Sequence, residues 1–248
     1  MKLNLLVAPD FAPERFAGWH MFNTVLQKRA DFATHLLTPA TATEQSDLIN
    51  QGNVDMIYAN PFDAAVLIRE KAYQVVARPV GKPDEMVIAS GINGTVKTLA
   101  DLQPGCRIAM ADNRDVKLIG LRLLEAVDLT ESDIQWHITE NYQAAVRATI
   151  KGEAEAAFFM AEVYHSLSRL TLSQLQVLIA SDLNDISHVL LVKDSFTDKA
   201  ALTQALLSLH TDEDGKTLLT ELGLPNGFEA MSEEDGEFMI DLMETLLD

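Results

Sequence analysis

Two stretches of this chain, one hundred residues apart, follow one plan, and that repeat limits the folds open to it. Gly52-Asn53-Val54-Asp55-Met56-Ile57-Tyr58-Ala59-Asn60-Pro61 and Gly152-Glu153-Ala154-Glu155-Ala156-Ala157-Phe158-Phe159 match position by position: Gly52 with Gly152, Asp55 with Glu155, Tyr58 with Phe158. Each copy follows an amphipathic helical pattern and precedes another. Glycine suits the close of a helix because it enters the left-handed conformation without steric cost. The apolar run from Val54 to Ala59 has the length and character of a buried parallel strand. Asn60-Pro61 then ends the strand and opens a helix, with Asn as cap and Pro at the first helical position. The repeat predicts two α/β lobes built alike, with a strand end from each facing a shared cleft.

The rest of the chain fits that frame. Strands are expected at 3–8, 34–38, 73–80 and 85–90, with helices over 14–30, 41–51 and 61–72. Phe16, Trp19, Phe22, Val25 and Leu26 share one face of the first helix. Strands alternating with helices argue for parallel βαβ units. Gly91-Ile92-Asn93-Gly94 marks the passage into the second lobe. There, strands at 106–111, 134–139, 154–159 and 175–180 alternate with helices at 114–127, 141–151 and 160–167, Asn113 or Asp112 capping the first of these. A loop at 181–185 leads to a strand at 188–192, and helices over 198–210, 212–222 and 233–247 complete the chain. The expected lobes are 1–90 with 186–248, and 91–185. Hinge closure on ligand would fall at the crossovers near 88–94 and 181–187.

Net charge is −18 and no cluster of Lys and Arg stands out, which argues against nucleic acid and anionic membrane surfaces as partners. No apolar run approaches the roughly 18 residues of a membrane helix, so no membrane insertion is expected. The first ten residues lack the basic region, apolar core and cleavage site of a signal peptide. As written, the chain reads as cytoplasmic; a trimmed precursor would read as periplasmic. Cys106 is the single cysteine, so neither an intrachain disulfide nor a cysteine metal cluster is available. It reads as a buried structural thiol, since nothing adjacent except Arg107 would lower its pKa. The six His lack metal-ligand spacing, and Asp212-Glu213-Asp214-Gly215 reads as a helix start rather than a calcium loop. No cofactor and no metal are expected. Common hydrolase and nucleotide signatures are absent.

The run Gly-x-Val-Asp-x-x-Tyr-x-x-Pro at 52–61 resembles the first lobe of phosphonate/phosphite-type substrate-binding proteins of ABC transporters. The stretch from Thr98 to Ala109 resembles that family's entry into its second lobe, and the stretch from Leu206 to Leu224, with Gly227-Phe228, its C-terminal helices. The likeness runs in the same order along nearly the whole chain. It implies an α/β, two-lobed type 2 periplasmic-binding-protein fold with two crossover strands and ligand held between the lobes. The chain departs from the family where ligand is usually held. A Ser/Thr-rich helix start is replaced by Asn113-Arg114-Asp115-Val116-Lys117, and a Ser-His pair by Glu140-Asn141-Tyr142.

The candidate ligand-binding residues are Phe11, Tyr58, Asn60, Asn113, Arg114, Asn141 and Tyr142, all at ends of expected strands, where open α/β sheets bind ligands. Each has a plainer reading. Phe11 and Tyr58 suit a core, Asn60 and Asn141 suit helix caps, and Arg114 suits a solvated surface beside Asp112 or Asp115. Glu162, Asp182 and Asn184 could reach the same region. A cation at a helix start opposes the macrodipole, which suggests that Arg114 serves an anion; Asp115 beside it favours a monoanion such as a carboxylate. The expected function is a solute-binding protein, not an enzyme, closing on a small anionic or polar molecule for transport or sensing, with an ABC permease or a sensor as partner. The alternatives are a cytosolic enzyme on the same fold, of the menaquinone futalosine-pathway type, and an interaction module without ligand.

Overall fold

The computed structural model describes every residue except 1, 10, 12, 83, 84, 182–185 and 248. The chain divides into two units, Met1–Pro83 with Asn184–Thr245, and Asp84–Leu183 with Leu246–Asp248. The first unit begins with β1 (Lys2–Val7), α1 (Phe16–Ala30), β2 (Ala33–Leu37), α2 (Ala42–Asn50), β3 (Met56–Ala59), α3 (Pro61–Lys71) and β4 (Tyr73–Pro79). The second follows with β5 (Met86–Gly91), β6 (Cys106–Ala111), α4 (Arg114–Leu124), β7 (Ile134–Thr139), α5 (Tyr142–Ile150), β8 (Ala156–Met160), α6 (Ala161–Ser166), α7 (Arg169–Leu172) and β9 (Leu175–Ala180). The chain then returns to the first unit with β10 (Val189–Lys193), α8 (Lys199–Leu207), α9 (Glu213–Leu222), β11 (Phe228–Ala230) and α10 (Glu233–Leu247).

The first sheet runs β11-β4-β10-β3-β1-β2 and the second β7-β6-β8-β5-β9. Strand β1 is parallel to β2 and β3, and β6 is parallel to β7 and β8, as helical crossovers require. The expectation of parallel pairing fails at β10 and β5. Strand β10 runs antiparallel to β3 and β4, and β5 antiparallel to β8 and β9. Each of the two is reached from a strand of the other sheet, β5 from β4 and β10 from β9, and not through a βαβ unit of its own sheet. Strand β5, expected in the first lobe, belongs to the second sheet.

Period-two alternation sorts the first sheet into two cores. Leu5, Val7, Met56, Tyr58, Leu190 and Val192 face Trp19, Phe22 and Leu26 of α1, with leucines of α8 and α9. Leu6, Ile57, Ala59 and Leu191 face Ala64 and Leu67 of α3 and Met239 of α10. Full burial of such side chains contributes about 1.5–3 kcal/mol each, enough to dock helices with little intrinsic stability. Phe16 departs from the shared face expected of α1. It is 48% exposed, at the first residue of the helix, where its ring lies edge-on to His20 at 4.9 Å rather than on the sheet.

The repeated motif turns out to be a clasp between strand starts. In the first unit the Asn4 N–H donates to Asp55 Oδ2 at 2.7 Å and the Asp55 N–H donates to the Asn4 carbonyl at 3.0 Å. In the second the Arg107 N–H donates to Glu155 Oε2 at 2.7 Å and the Glu155 N–H donates to the Arg107 carbonyl at 2.9 Å. The side chain of the partner strand then reaches back to the turn, Asn4 to the Asn53 carbonyl and Arg107 to the Gly152 carbonyl. Gly52 and Gly152 make both turns possible, with φ of 76° and 75°. Bonds from Arg107 hold the Glu155 carboxyl below its ordinary range. Its contribution to stability is therefore present above the unfolded carboxylate range and is lost as pH falls through the lowered folded value.

Helix α3 ends less comfortably. Ala72, at its C-cap, has φ 55° and ψ 50°, a left-handed conformation that costs an L-residue about 1–2 kcal/mol. Ala72 is exposed, so glycine there removes no buried contact. Ala72→Gly should stabilise the protein by up to about 1 kcal/mol, the gain being trimmed by the entropy of glycine in the unfolded chain. Urea unfolding is the check, and an unchanged or lowered midpoint would refute the strain argument.

Candidate functional site

In the first unit the relevant surface is made where β1 and β3 end. Val7 pairs with Tyr58, and the Ala8 N–H donates to the Tyr58 carbonyl, so Phe11 lies in the loop leaving the neighbouring strand. The Tyr58 ring is nearly buried between two others. The Trp19 centroid lies 4.6 Å away at 46°, and the His188 ring stacks at 5.2 Å and 24°. Half-buried Phe11 continues the row against Trp19 at 6.2 Å. Offset and tilted rings at such distances add about 0.5–1.5 kcal/mol per pair beyond burial. Among the described residues nothing accepts from the Trp19 indole N–H. The row Phe11–Trp19–Tyr58–His188 is thus an aromatic wall at a strand end. Trp19 and His188 were not among the candidates. Their sequence signal was faint, because Trp19 reads as a core position of α1 and His188 as the start of a strand.

Asn60 is buried and committed to its helix. Its Oδ1 accepts from the Asp63 N–H at 2.8 Å, and its Nδ2 donates to Asp63 Oδ2 at 3.1 Å. Gln45 Nε2, from α2, donates to the same carboxylate oxygen at 2.6 Å. Asp63 therefore fixes which way the Asn60 amide faces, and capping is the role its contacts describe.

In the second unit two helix starts lie side by side. Strands β6 and β7 are parallel neighbours with Ala111 opposite Thr139. Asn113 and Asn141 each stand two residues beyond, and each caps a helix. Asn113 Oδ1 accepts from the Val116 N–H at 3.0 Å, and Asn141 Oδ1 from the Ala144 N–H at 2.9 Å. Each cap satisfies one of the amides that a helix start leaves without an intrahelical partner, and both helices direct the positive ends of their dipoles to this edge. Arg114 opens α4 and is exposed, whereas Asp115, next in the first turn, is 6% exposed. A buried carboxyl group is thus present at one of the two helix starts. Tyr142 is half-buried, its ring 6.4 Å from Phe159, and it packs on the core of this unit. Glu162 lies in the first turn of α6. Asp182 and Asn184 lie outside the described residues.

The remaining chemistry is structural. Cys106 is buried, and burial first, then the Glu155 charge, pushes its thiol above the ordinary range, so it is protonated and unreactive at neutral pH. Among the described residues no group of three His, Cys, Asp or Glu could hold a metal ion, and no helix is long and apolar enough to cross a membrane.

The sequence matches the family model described as ABC transporter, phosphonate, periplasmic substrate-binding protein over residues 5–235. No curated protein matches it. Solved structures of the same fold include a Xanthomonas citri protein bound to ATP, with 11% identity, TM-score 0.81 and coverage of 100% of this chain and 98% of that one. PhnD1 from Prochlorococcus marinus, in complex with methylphosphonate, has 12% identity and TM-score 0.81 over 99% of this chain and 98% of its own. The periplasmic aliphatic sulphonate binding protein SsuA from Escherichia coli has 19% identity and TM-score 0.67 over 98% and 87%. At these identities the likeness establishes the architecture alone: an α/β, two-lobed periplasmic-binding-protein-like fold with crossover strands between sheets.

Proposed function

The chain belongs to the periplasmic substrate-binding proteins of phosphonate ABC transporters, and from that premise we propose that it binds a small organic monoanion, for transport or for sensing, without chemical change. The observation that carries the reading is the pair of helix starts at Asn113 and Asn141, set side by side by the register of β6 and β7. Two dipole ends at one sheet edge favour an anion there. Arg114, at the first position of α4, would add a planar donor pair suited to a carboxylate or another oxyanion. Asp115 in the same turn, when ionised, would repel a second negative charge and so favour a singly charged sulphonate or carboxylate over a dianionic phosphonate. Solved structures of the same fold, described as binding methylphosphonate, an aliphatic sulphonate or ATP, support an organic anion as the ligand class and leave its charge open.

Calorimetry with alkanesulphonates, short carboxylates, methylphosphonate and phosphate tests the ranking. A monoanion should bind tightest, and methylphosphonate should bind better where its second ionisation is suppressed. Arg114→Ala should weaken the best monoanion at least about tenfold, since a hydrogen bond to a charged group contributes about 1.5–3 kcal/mol. The unfolding midpoint of the free protein should barely change. Wild-type affinity in Arg114→Ala, or a clear preference for a dianion, would overturn the assignment.

A further inference from the structure

Asparagine is followed by glycine at two positions of this chain, Asn93-Gly94 and Asn226-Gly227. Glycine has no Cβ to shield its backbone nitrogen, so that nitrogen can reach the carboxamide carbon of the asparagine before it. The two pairs are chemically alike, and only their surroundings can separate them. At the second site Gly227 is buried, has φ 76° and donates its N–H to the Leu224 carbonyl at 2.9 Å. Its own carbonyl accepts from the Val80 N–H at 2.9 Å, and Asn226 Nδ2 donates to the Val80 carbonyl at 3.4 Å. Phe228, next in the chain, enters β11 and pairs with Pro79 of β4. The side-chain amide and the nitrogen that would attack it are both tied down.

The first site is a tip held only at its ends. Ile92, Asn93, Gly94 and Thr95 are all exposed. On one side the Ile92 N–H donates to the Gln174 carbonyl at 2.8 Å; on the other, buried Ser90 Oγ donates to the Val96 carbonyl at 2.8 Å. Between these anchors the Gly94 N–H closes the turn on the Gly91 carbonyl at 2.9 Å. Among the described residues no hydrogen bond holds the Asn93 side chain. Lys97 Nζ donates to the Ile92 carbonyl, on the peptide that precedes Asn93. A cation there stabilises the negative charge that develops when the Gly94 nitrogen attacks.

We propose that Asn93 is a site of spontaneous modification, converting to aspartate and isoaspartate while Asn226 persists. The Gly94 nitrogen gives its proton to hydroxide and attacks the side-chain carbonyl carbon of Asn93. A bond forms between them, the bond from that carbon to Nδ2 breaks, and the amide takes a proton from water and leaves as ammonia. Water then opens the cyclic imide. Opening at the side-chain carbonyl gives aspartate, and opening at the main-chain carbonyl gives isoaspartate. The sum is asparagine and water giving the acid and ammonia. Either product sets a carboxylate beside Lys97, and isoaspartate also lengthens the backbone of the turn by a methylene.

Incubation of the whole folded chain in mildly alkaline buffer, read by tryptic mass mapping and by enzymatic methylation of isoaspartate, tests the proposal. Cleavage after Lys97 and Lys216 puts the two asparagines in different peptides. Acid should accumulate at Asn93 at least about tenfold faster than at Asn226, where reaction awaits local opening of the bonds to Val80. In urea, with both sites unfolded, the two rates should converge. Gly94→Ala, whose Cβ would stand 3.2 Å from the Gly91 carbonyl oxygen, should slow the reaction at Asn93 in folded and unfolded chains alike. Asn93 as durable as Asn226 in the folded chain overturns the proposal. So does an excess at Asn93 that persists unchanged in urea, or a rate there indifferent to Gly94→Ala.

Discussion

Gly215→Ala should cost this protein about 2–4 kcal/mol, for the addition of a single methyl group. Gly215 is the third residue of α9, its N–H donating to the Asp212 cap at 2.8 Å. A Cβ there would be driven into the Leu209 carbonyl group and would stand 2.9 Å from Arg29 Nη2. Neither neighbour yields readily. The Leu209 carbonyl is backbone, in the turn that joins α8 to α9, and Arg29 bonds both Asp212 carboxylate oxygens and the Ser208 carbonyl. Relief therefore means moving α9 off that turn or breaking the fork between α1 and α9. Alanine returns at most about 1 kcal/mol of helix propensity, so strain wins. At roughly 2–4 °C per kcal/mol for a chain this long, the thermal midpoint should fall by roughly 5–15 °C. Gly52→Ala is the comparison, since a Cβ at Gly52 meets nothing and pays only for its left-handed φ. Equal losses in the two variants would mean that the close approach at Gly215 is not felt.

Phe158→Ala should be as damaging to the second unit, by about 3–5 kcal/mol, the usual range for emptying a buried aromatic site. Phe158 is fully buried, lies edge-on to Trp136 at 5.7 Å, and is covered by α4 at Gly120, where a Cβ would overlap its ring. The glycine exists to let the helix rest on the phenyl group. That makes a sign reversal the sharper test. In the wild-type chain Gly120→Ala should destabilise by about 1–2 kcal/mol, overpacking exceeding the gain in helix propensity. With Phe158 already alanine, the same substitution fills vacated space and should stabilise. Urea unfolding of the four chains gives the coupling directly. Additive effects would refute the packing account.

Much of this architecture was legible. Strands at Cys106–Ala111, Ile134–Thr139 and Leu175–Ala180 fall where apolar runs are bounded by turn residues. Asn60, Asn113, Asn141 and Asp212 cap helices because their short side chains reach an N–H three residues on, a relation written in four consecutive residues. What escaped is what local pattern does not encode. The directions of β5 and β10 depend on where the chain arrives from, and a period of two is the same either way. Strand β11, three residues long, is too short to show a period. The aromatic wall joins positions as far apart as Phe11 and His188, and nothing near either names the other. The clasp was visible as Asp55 and Glu155, but its purpose was not. The partners, Asn4 and Arg107, stand about fifty residues earlier and look like ordinary polar surface.

The place of β10 sets an order on how the protein is made. It lies between β3 and β4 in the first sheet, yet it is the last long strand of the chain to be synthesised. Until Val189–Lys193 emerges from the ribosome, β3 and β4 have no common neighbour and that sheet stands open at its middle. The second unit is built from one continuous span up to β9, apart from the last three residues of the chain, and is complete earlier. The nascent protein should therefore finish its middle first and hold its beginning unfinished, with apolar strand edges in the care of chaperones. Released chains truncated just before residue 189 should protect amide hydrogens of β6 and β8 from exchange while those of β3 remain open.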